Sequence, residues 1–272
     1  MRRRGGGFAR TVKAFPTLLR IGVSETIAFR IEFLVWLLTA TQPLVMMSLM
    51  AFIARAQKFR GYSAPAFVSY YMATLIVRQL TGNWVSWRLT EEIRMGTLAM
   101  RLLRPIHPFW AYLANQLAAI PIRAAIAVVL AAILLATSSA VALPHDPIQL
   151  ALAAISIMLS WLISFSVFFT IGSLALFLTE TMALGTVYFA VFSLFSGYLM
   201  PLDMLPQPIP TLAGWLPFKF MLAVPVMLLT RDLPVAACAH MLIGQLLWAA
   251  LTLVLALWTW NRGIKRFESV GT

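Results

Sequence analysis

Residues 148–178 read IQLALAAISIMLSWLISFSVFFTIGSLALFL, from Ile148 to Leu178 without one Asp, Glu, Lys or Arg. An apolar helix of about 20 residues crosses the hydrocarbon core of a bilayer, which is about 30 Å thick. In that core every backbone N–H and C=O must be satisfied internally, and a single run of this length does so as a helix. Phe33–Ile53, Met182–Met200 and Leu233–Trp260 are equally free of charge, and short arginine-rich stretches separate the runs. The pattern predicts an all-α polytopic membrane protein.

Composition agrees. The chain of 272 residues is 61% hydrophobic and 11% charged. A soluble domain holds about 45–50% apolar and about 25% charged residues, so a water-soluble globule is excluded. The length suits one membrane domain of about six helices. The net charge of +12 sits at helix ends. There it orients helices and meets lipid headgroups, and no nucleic-acid partner is expected. One cysteine, Cys238, excludes an intrachain disulfide and a Cys/His metal framework, and it reads as a small packed hydrophobe. The basic start Met1–Arg4 runs into Gly5–Gly7 rather than into an apolar core with a cleavage site, so no cleaved signal peptide is expected.

Six spans are predicted, at about 33–53, 67–87, 109–135, 148–178, 182–200 and 236–260. Residues 1–32 form a basic N-terminus and an amphipathic helix for the headgroup layer. The membrane domain covers 33–262, with a kink expected at Pro43, and a basic tail fills 263–272. Residues 201–235 hold seven of the fifteen prolines yet stay largely apolar. That density forbids a straight helix, and the apolar content forbids a free loop in water. A re-entrant pair of short helices is expected there, with Pro201, Asp203, Pro206, Pro217 and Pro225 in an outer segment.

An even number of spans puts both termini on one side. That side receives fourteen basic residues, among them Arg2–Arg4, Arg88, Arg94, Arg101, Arg104 and Arg262. The other receives five: Arg55, Lys58, Arg60, Lys219 and Arg231. The positive-inside rule places both termini in the cytoplasm. Arg78 and Arg123 remain, inside spans. An arginine at bilayer depth costs about 2.5–3.5 kcal/mol on insertion scales unless it faces protein or water. At 1.5 Å per residue they lie about 15 Å and about 21 Å from the cytoplasmic ends of their spans, near a shared depth. They are candidates for lining a path for an anionic group, or for structural pairing with carbonyls, Gln79, Asn115 or Gln116.

No G-x-x-x-x-G-K-[ST] occurs, so the chain has no phosphate-cradling loop of its own. G-x-S-x-G and H-E-x-x-H are absent too, and His107, His145 and His240 are scattered. The most structured polar piece is Arg88–Pro105, RLTEEIRMGTLAMRLLRP. Glu91 lies three residues from Arg88 and from Arg94, within helical pairing reach. Gly96 permits a bend, and Pro105 discourages helix at Arg104. A helix–bend–helix is predicted. It serves either as a plain linker or as a knob on which a cytoplasmic partner docks.

Several stretches in order resemble the ABC-2 type permeases, in particular their compact six-helix group. Gly96–Pro105 resembles that family's G-x-L-x-x-x-L-L-R-P turn, Phe177–Glu180 its F-W-T-E exit from the fourth span, and Ser196–Pro206 its S-G-x-x-x-P-L-D-x-L-P. Leu216–Phe220 with Pro225 is similar to its L-P-F-x-Y stretch, and Ile264–Glu268 to its R-R-Y-E tail. Leu178 and Met182 depart mildly from the pattern. The resemblance implies a permease subunit in a bacterial cytoplasmic (inner) membrane, with no cofactor of its own. Two separate ABC ATPase subunits holding ATP and Mg would drive it, alongside a second permease, same or different, and membrane lipids. It implies export of an amphipathic or hydrophobic substrate. ATPase coupling would pass through Arg88, Glu91, Glu92, Arg94, Gly96, Arg101 and Arg104. Two alternatives are a non-transporting scaffold of the same architecture and an integral membrane enzyme acting on lipid headgroups. The latter needs an interfacial cluster of carboxylates or histidines that the sequence does not offer.

Overall fold

Proline and glycine decide where the helices break. The computed structural model describes residues 6–28, 38, 40–55, 57–137, 146–178 and 181–267. Among the described residues the chain is helical, with one isolated bridge between Phe59 and Tyr62 and no strand. The helices are α1 (Gly6–Ala28), α2 (Thr41–Ile53), α3 (Ala64–Thr81), α4 (Val85–Arg94), α5 (Leu98–Leu102), α6 (Pro108–Ala118) and α7 (Ile120–Thr137). Then come α8 (Pro147–Ser173), α9 (Met182–Phe195), α10 (Ile209–Gly214), α11 (Pro217–Met221), α12 (Ala223–Thr230) and α13 (Val235–Gly263). Three starts carry a side-chain cap followed by proline in the first turn. Ser63, His107 and Asp146 accept from the backbone N–H of Ala66, Phe109 and Ile148.

Among the described residues three stretches are long and apolar enough to cross a bilayer: Pro108–Ile133, Pro147–Leu176 and Val235–Arg266. Thr41–Ile53 and Ala183–Phe195 are shorter apolar helices. The expected beginning of the first span (33–37), Arg2–Arg4, His145, Glu180 and the end of the tail (268–272) lie outside the described residues.

Several boundaries differ from the sequence reading. The second expected span stops at Thr81, where Gly82 turns the chain to ψ 142°, and α4 begins afresh at Val85. The third breaks at Ala119, because Pro121 has no N–H to bond one turn back and suits a helix start instead. Pro43 stands in the first turn of α2, where proline fits, rather than in mid-helix. The fifth ends at Phe195, and the turn after it passes through Gly197 at φ +83°. Tyr70 and Tyr71 of α3 pin that turn, donating to the carbonyls of Gly197 (2.6 Å) and Leu199 (2.7 Å).

The core forms around α8. α13 lies along it, and α3, α4, α11 and α12 also rest on it. Lipid tails are as apolar as leucine, so such contacts hold by close fit and by hydrogen bonds rather than by expulsion of water. One device is the ring cluster Phe109, Trp161, Phe165, Phe169 and Trp260, with centroids 5.2–5.9 Å apart. Another is Gly172, where a Cβ would stand 2.9 Å from Ser86 Cα, so the backbone of α4 sits directly on α8.

The proline-rich stretch folds into α10, α11 and α12 rather than into one rod. Each break strands backbone groups that a lipid-facing protein must satisfy internally. Three buried polar side chains do this. Gln149 donates to the carbonyls of Leu228 (2.8 Å) and Arg231 (2.6 Å), and accepts from Leu233 N–H (3.2 Å). Ser160 and Gln245 both donate to the Phe220 carbonyl at 2.9 Å.

Candidate functional site

Two polar clusters stand at opposite ends of α3. At its Thr81 end, α4 and α5 make the helix–bend–helix that the sequence predicts. Gly96 sits between them at φ +72°, a conformation that costs glycine nothing and an L side chain a steric clash. The bend folds α5 back on α4, so Arg101 donates twice to Glu92, at 2.5 and 2.6 Å. Tyr112 of α6 donates to the same carboxylate at 2.5 Å, and Arg88 approaches it at 3.5 Å. Burial alone would lower the Arg101 guanidinium, but its hydrogen bonds to Glu92, together with the attraction of Tyr112, Glu92 and Glu25, leave it raised. Glu92 is thus the hub of the segment. Glu91, the residue singled out by spacing, points outward, because α-helical spacing permits both glutamates and the return of α5 selects one.

The hub reaches the N-terminal helix. Arg88 donates to Glu25 of α1 (2.8 Å) and to Asn115 of α6 (3.1 Å), and Asn115 also donates to Glu25 (2.8 Å). Gly22 brings α1 against α6: a Cβ there would stand 2.8 Å from Ala118 Cβ and 3.1 Å from Asn115 Cα. Four helices, α1, α4, α5 and α6, are thereby tied at one end. Past this hub the tip turns apolar groups outward, with Met95 71%, Met100 68% and Leu103 79% exposed beside exposed Arg94 and Arg104. A groove of about 760 Å³ runs alongside. Trp87, Met95, Ile171 and Phe189 line it, with Thr90, Glu91 and Arg94 among its polar groups.

Arg78 lies in the last turn of α3, its guanidinium 5.0 Å from the ring centres of both Phe192 and Tyr198. Arg123 is 2% exposed, and its Nη1 would stand 3.8 Å from a Cβ on Gly82, just past the C-terminal end of α3. That end carries the partial negative charge of the helix dipole, a favourable place for a cation. The depth inferred from a second span running to residue 87 therefore does not carry over to Arg78. Asn115 accepts from Arg88, and Gln116 accepts from the Trp84 N–H.

At the Ser63 end, Asp203 accepts from Tyr62 (2.9 Å) and from Arg231 (2.6 Å), Arg231 also donates to the Tyr62 hydroxyl, and Arg60 donates to the Met204 carbonyl. Burial pushes the Tyr62 hydroxyl up to about 12. Asp203 lies between α9 and α10, in the short 3-10 turn Leu202–Met204. Pro201 borders the same place, while Pro206, Pro217 and Pro225 shape the short helices behind it.

Glu25 and Tyr112 escaped the sequence reading, and Asn115 entered it only beside Arg78 and Arg123. Glu25 lies 63 positions from Arg88 and Tyr112 lies 20 from Glu92, each on a separate helix, and helical spacing gives no signal for such pairs. The search of curated proteins finds no match. The family model described as ABC-2 family transporter protein matches residues 38–271. With nearly the whole helical assembly inside that match, the chain belongs to the ABC-2 transporter family and is a membrane permease component of an ABC transporter.

Proposed function

We propose that this permease is the exporting half of a machine driven by two separate ABC ATPases, which hold the ATP and Mg that this chain has no motif to bind. The single observation that carries the reading is the exposed apolar tip at Met95, Met100 and Leu103, mounted on the ion-paired hub of Glu92 and joined through Arg88 to α1. An apolar knob rimmed by Arg94 and Arg104 suits docking into a partner's groove. A push on it reaches four helices at once, because Glu92 and Arg88 tie them. The roles of Arg88, Glu91, Glu92, Arg94, Gly96, Arg101 and Arg104 as the coupling segment are part of this proposal.

We place the hub at the cytoplasmic face, as the arginine bias favours. The 18 residues of α3 separate the two polar clusters. At 1.5 Å per residue that is about 27 Å, close to a hydrocarbon core of about 30 Å. Six crossings then follow from α2, α3, α6–α7, α8, α9 and α13. The boundaries at 32 and 262, a second permease beside this one, lipid contacts and the bacterial inner membrane complete the reading. The groove at Trp87 and Phe189 has the size of drug-scale sites and mixes apolar walls with charge, which favours an amphipathic cargo. Arg78 is our candidate for the path; Arg123 joins it when α3 and α7 part.

Tagged chain solubilised from its host's membranes should retain a soluble P-loop ATPase. The double variant Met100→Asp, Leu103→Asp should lose about tenfold or more of it, since an ion forced into an apolar contact costs more than the 1.4 kcal/mol that tenfold represents. Its elution volume should stay unchanged. Retention of the ATPase by that variant would contradict the docking tip.

A further inference from the structure

The cluster at the Ser63 end of α3 has a use that the coupling account does not absorb. Two cavities meet there. One, of about 570 Å³, is lined by Arg60, Ser63, Ser69, Thr230 and their neighbours. The other, of about 160 Å³, is lined by Lys219, Pro201, Pro210 and Met227 among others. Tyr70, Asp203 and Arg231 border both, so the Asp203–Arg231 pair is the partition between them.

Charge in this twin chamber is unbalanced. Arg60, Lys219 and Arg231 face a single carboxylate, Asp203. Among the described residues no carboxylate or carbonyl takes the Lys219 ammonium, although it lines the smaller and largely apolar chamber. Arg60 spends one N–H on the Met204 carbonyl and keeps the rest of its donors. Its backbone is held at φ +48°, uncommon for a residue other than glycine, and Gly61 follows at φ +87°. The turn thus holds Arg60 at the chamber wall. The Ser63 hydroxyl, which accepts from the Ala66 N–H, adds its O–H as a further donor at the larger chamber. A cavity rich in donors and poor in acceptors fits a ligand rich in acceptors and negative in charge. Arg231 and Asp203 are 40% and 50% exposed, so an entering anion reaches their pair without unfolding the site.

We propose that this twin chamber binds a phosphate group, carried by a lipid headgroup or free, with Arg60, Lys219 and Arg231 as donors and Asp203 as the internal carboxylate that the phosphate displaces. Arginine and lysine differ usefully here. The guanidinium forks fit two phosphate oxygens each, and the ammonium acts as a point charge in the smaller chamber. Displacing Asp203 removes the partition and merges the two chambers. The site stands at the opposite end of α3 from the hub, and its assignment does not depend on the direction of transport or on the ATPase.

The test uses the full chain in a neutral detergent. Native mass spectrometry reads binding of a phosphatidylglycerol against a diacylglycerol with the same chains, and thermal unfolding reads stabilisation by inorganic phosphate against chloride at equal ionic strength. We expect binding of a phosphate-bearing probe in preference to its neutral or chloride control. Lys219→Gln, which breaks no hydrogen bond or ion pair among the described residues, should weaken it about tenfold, the scale of one charge-assisted hydrogen bond. Arg60→Gln should weaken it too. Asp203→Asn should tighten it, because the competing charge is gone while the shape remains, and a purely structural carboxylate would not give that gain. Preference for the lipid alone identifies a headgroup as the source, and stabilisation by inorganic phosphate identifies the free ion. Equal affinity for charged and neutral probes, or Lys219→Gln and Arg60→Gln variants that bind like the original, would overturn the assignment.

Discussion

Glu92→Gln is expected to cut ATP-driven transport about tenfold or more while leaving the protein assembled in the membrane. The glutamine keeps the shape and loses the charge on which three partners converge: Arg101 with two bonds, Arg88 and Tyr112. A hydrogen bond to a charged group contributes about 1.5–3 kcal/mol. The Glu92 side chain is 15% exposed and the Arg101 side chain 20%, so solvent screening discounts the figure only in part. A net loss of about 2 kcal/mol in the hold on α5 exceeds the 1.4 kcal/mol that tenfold represents. The tip would then yield to a push instead of passing it on. Arg88 keeps Glu25 and Asn115, so α1 stays docked and folding survives. The comparison is Lys265→Gln, an exposed charge just after α13 and outside the coupling segment, which should transport close to normally. Transport and substrate-stimulated ATP hydrolysis, measured with both variants in the assembled complex, check this. Equal loss in the two would remove the hub from the account.

The second large effect concerns stability. Gln149→Leu should lower the unfolding temperature strongly in detergent. Gln149 is 1% exposed and serves three backbone groups where α12 ends and α13 begins. Leucine fills the space and leaves two carbonyls and one N–H with no water to replace the amide. Each buried group left unsatisfied costs about 1–3 kcal/mol, which sums to several kcal/mol. Whole-protein stabilities are about 5–15 kcal/mol, so the change is a large share of the total. Ile148→Leu, one residue away and 57% exposed, is the control and should change little. Thermal unfolding of the two variants side by side checks the expectation. A Gln149→Leu protein as stable as its control would mean that the broken helices are held by something else.

Much of this architecture is legible in the residues themselves. The uncharged runs from Ile148 and from Leu233 become the two longest helices, α8 and α13, because nothing in them stops a helix. The Gly96 bend is legible because only glycine takes its φ without strain. Two breaks had local signals that hydropathy overshadows. Gly82-Asn83 is a helix stop, and Pro121 a helix start, inside stretches that are apolar on either side. Both move Arg78 and Arg123 relative to the helix ends. Other features had no local signal. Glu92 and Glu91 are equivalent to helical spacing, and only the return of α5 and the approach of Tyr112 separate them. Gln149 and Gln245 look like isolated polar residues in apolar helices. Their use becomes visible once α11 and α12 bring their stranded carbonyls alongside. Asp203 and Arg231 are 28 positions apart, with the proline-rich helices between them, so their pairing is a product of the fold.

The central claim is that this permease moves its cargo only when a separate ATPase burns nucleotide beneath it. Reconstituting the purified chain into vesicles, with and without the co-purified ATPase, and following ATP hydrolysis together with uptake of an amphipathic dye tests it most directly. We expect both activities when the two components are together and neither with the permease alone. ATP hydrolysis or uphill dye uptake by the permease on its own would contradict the account.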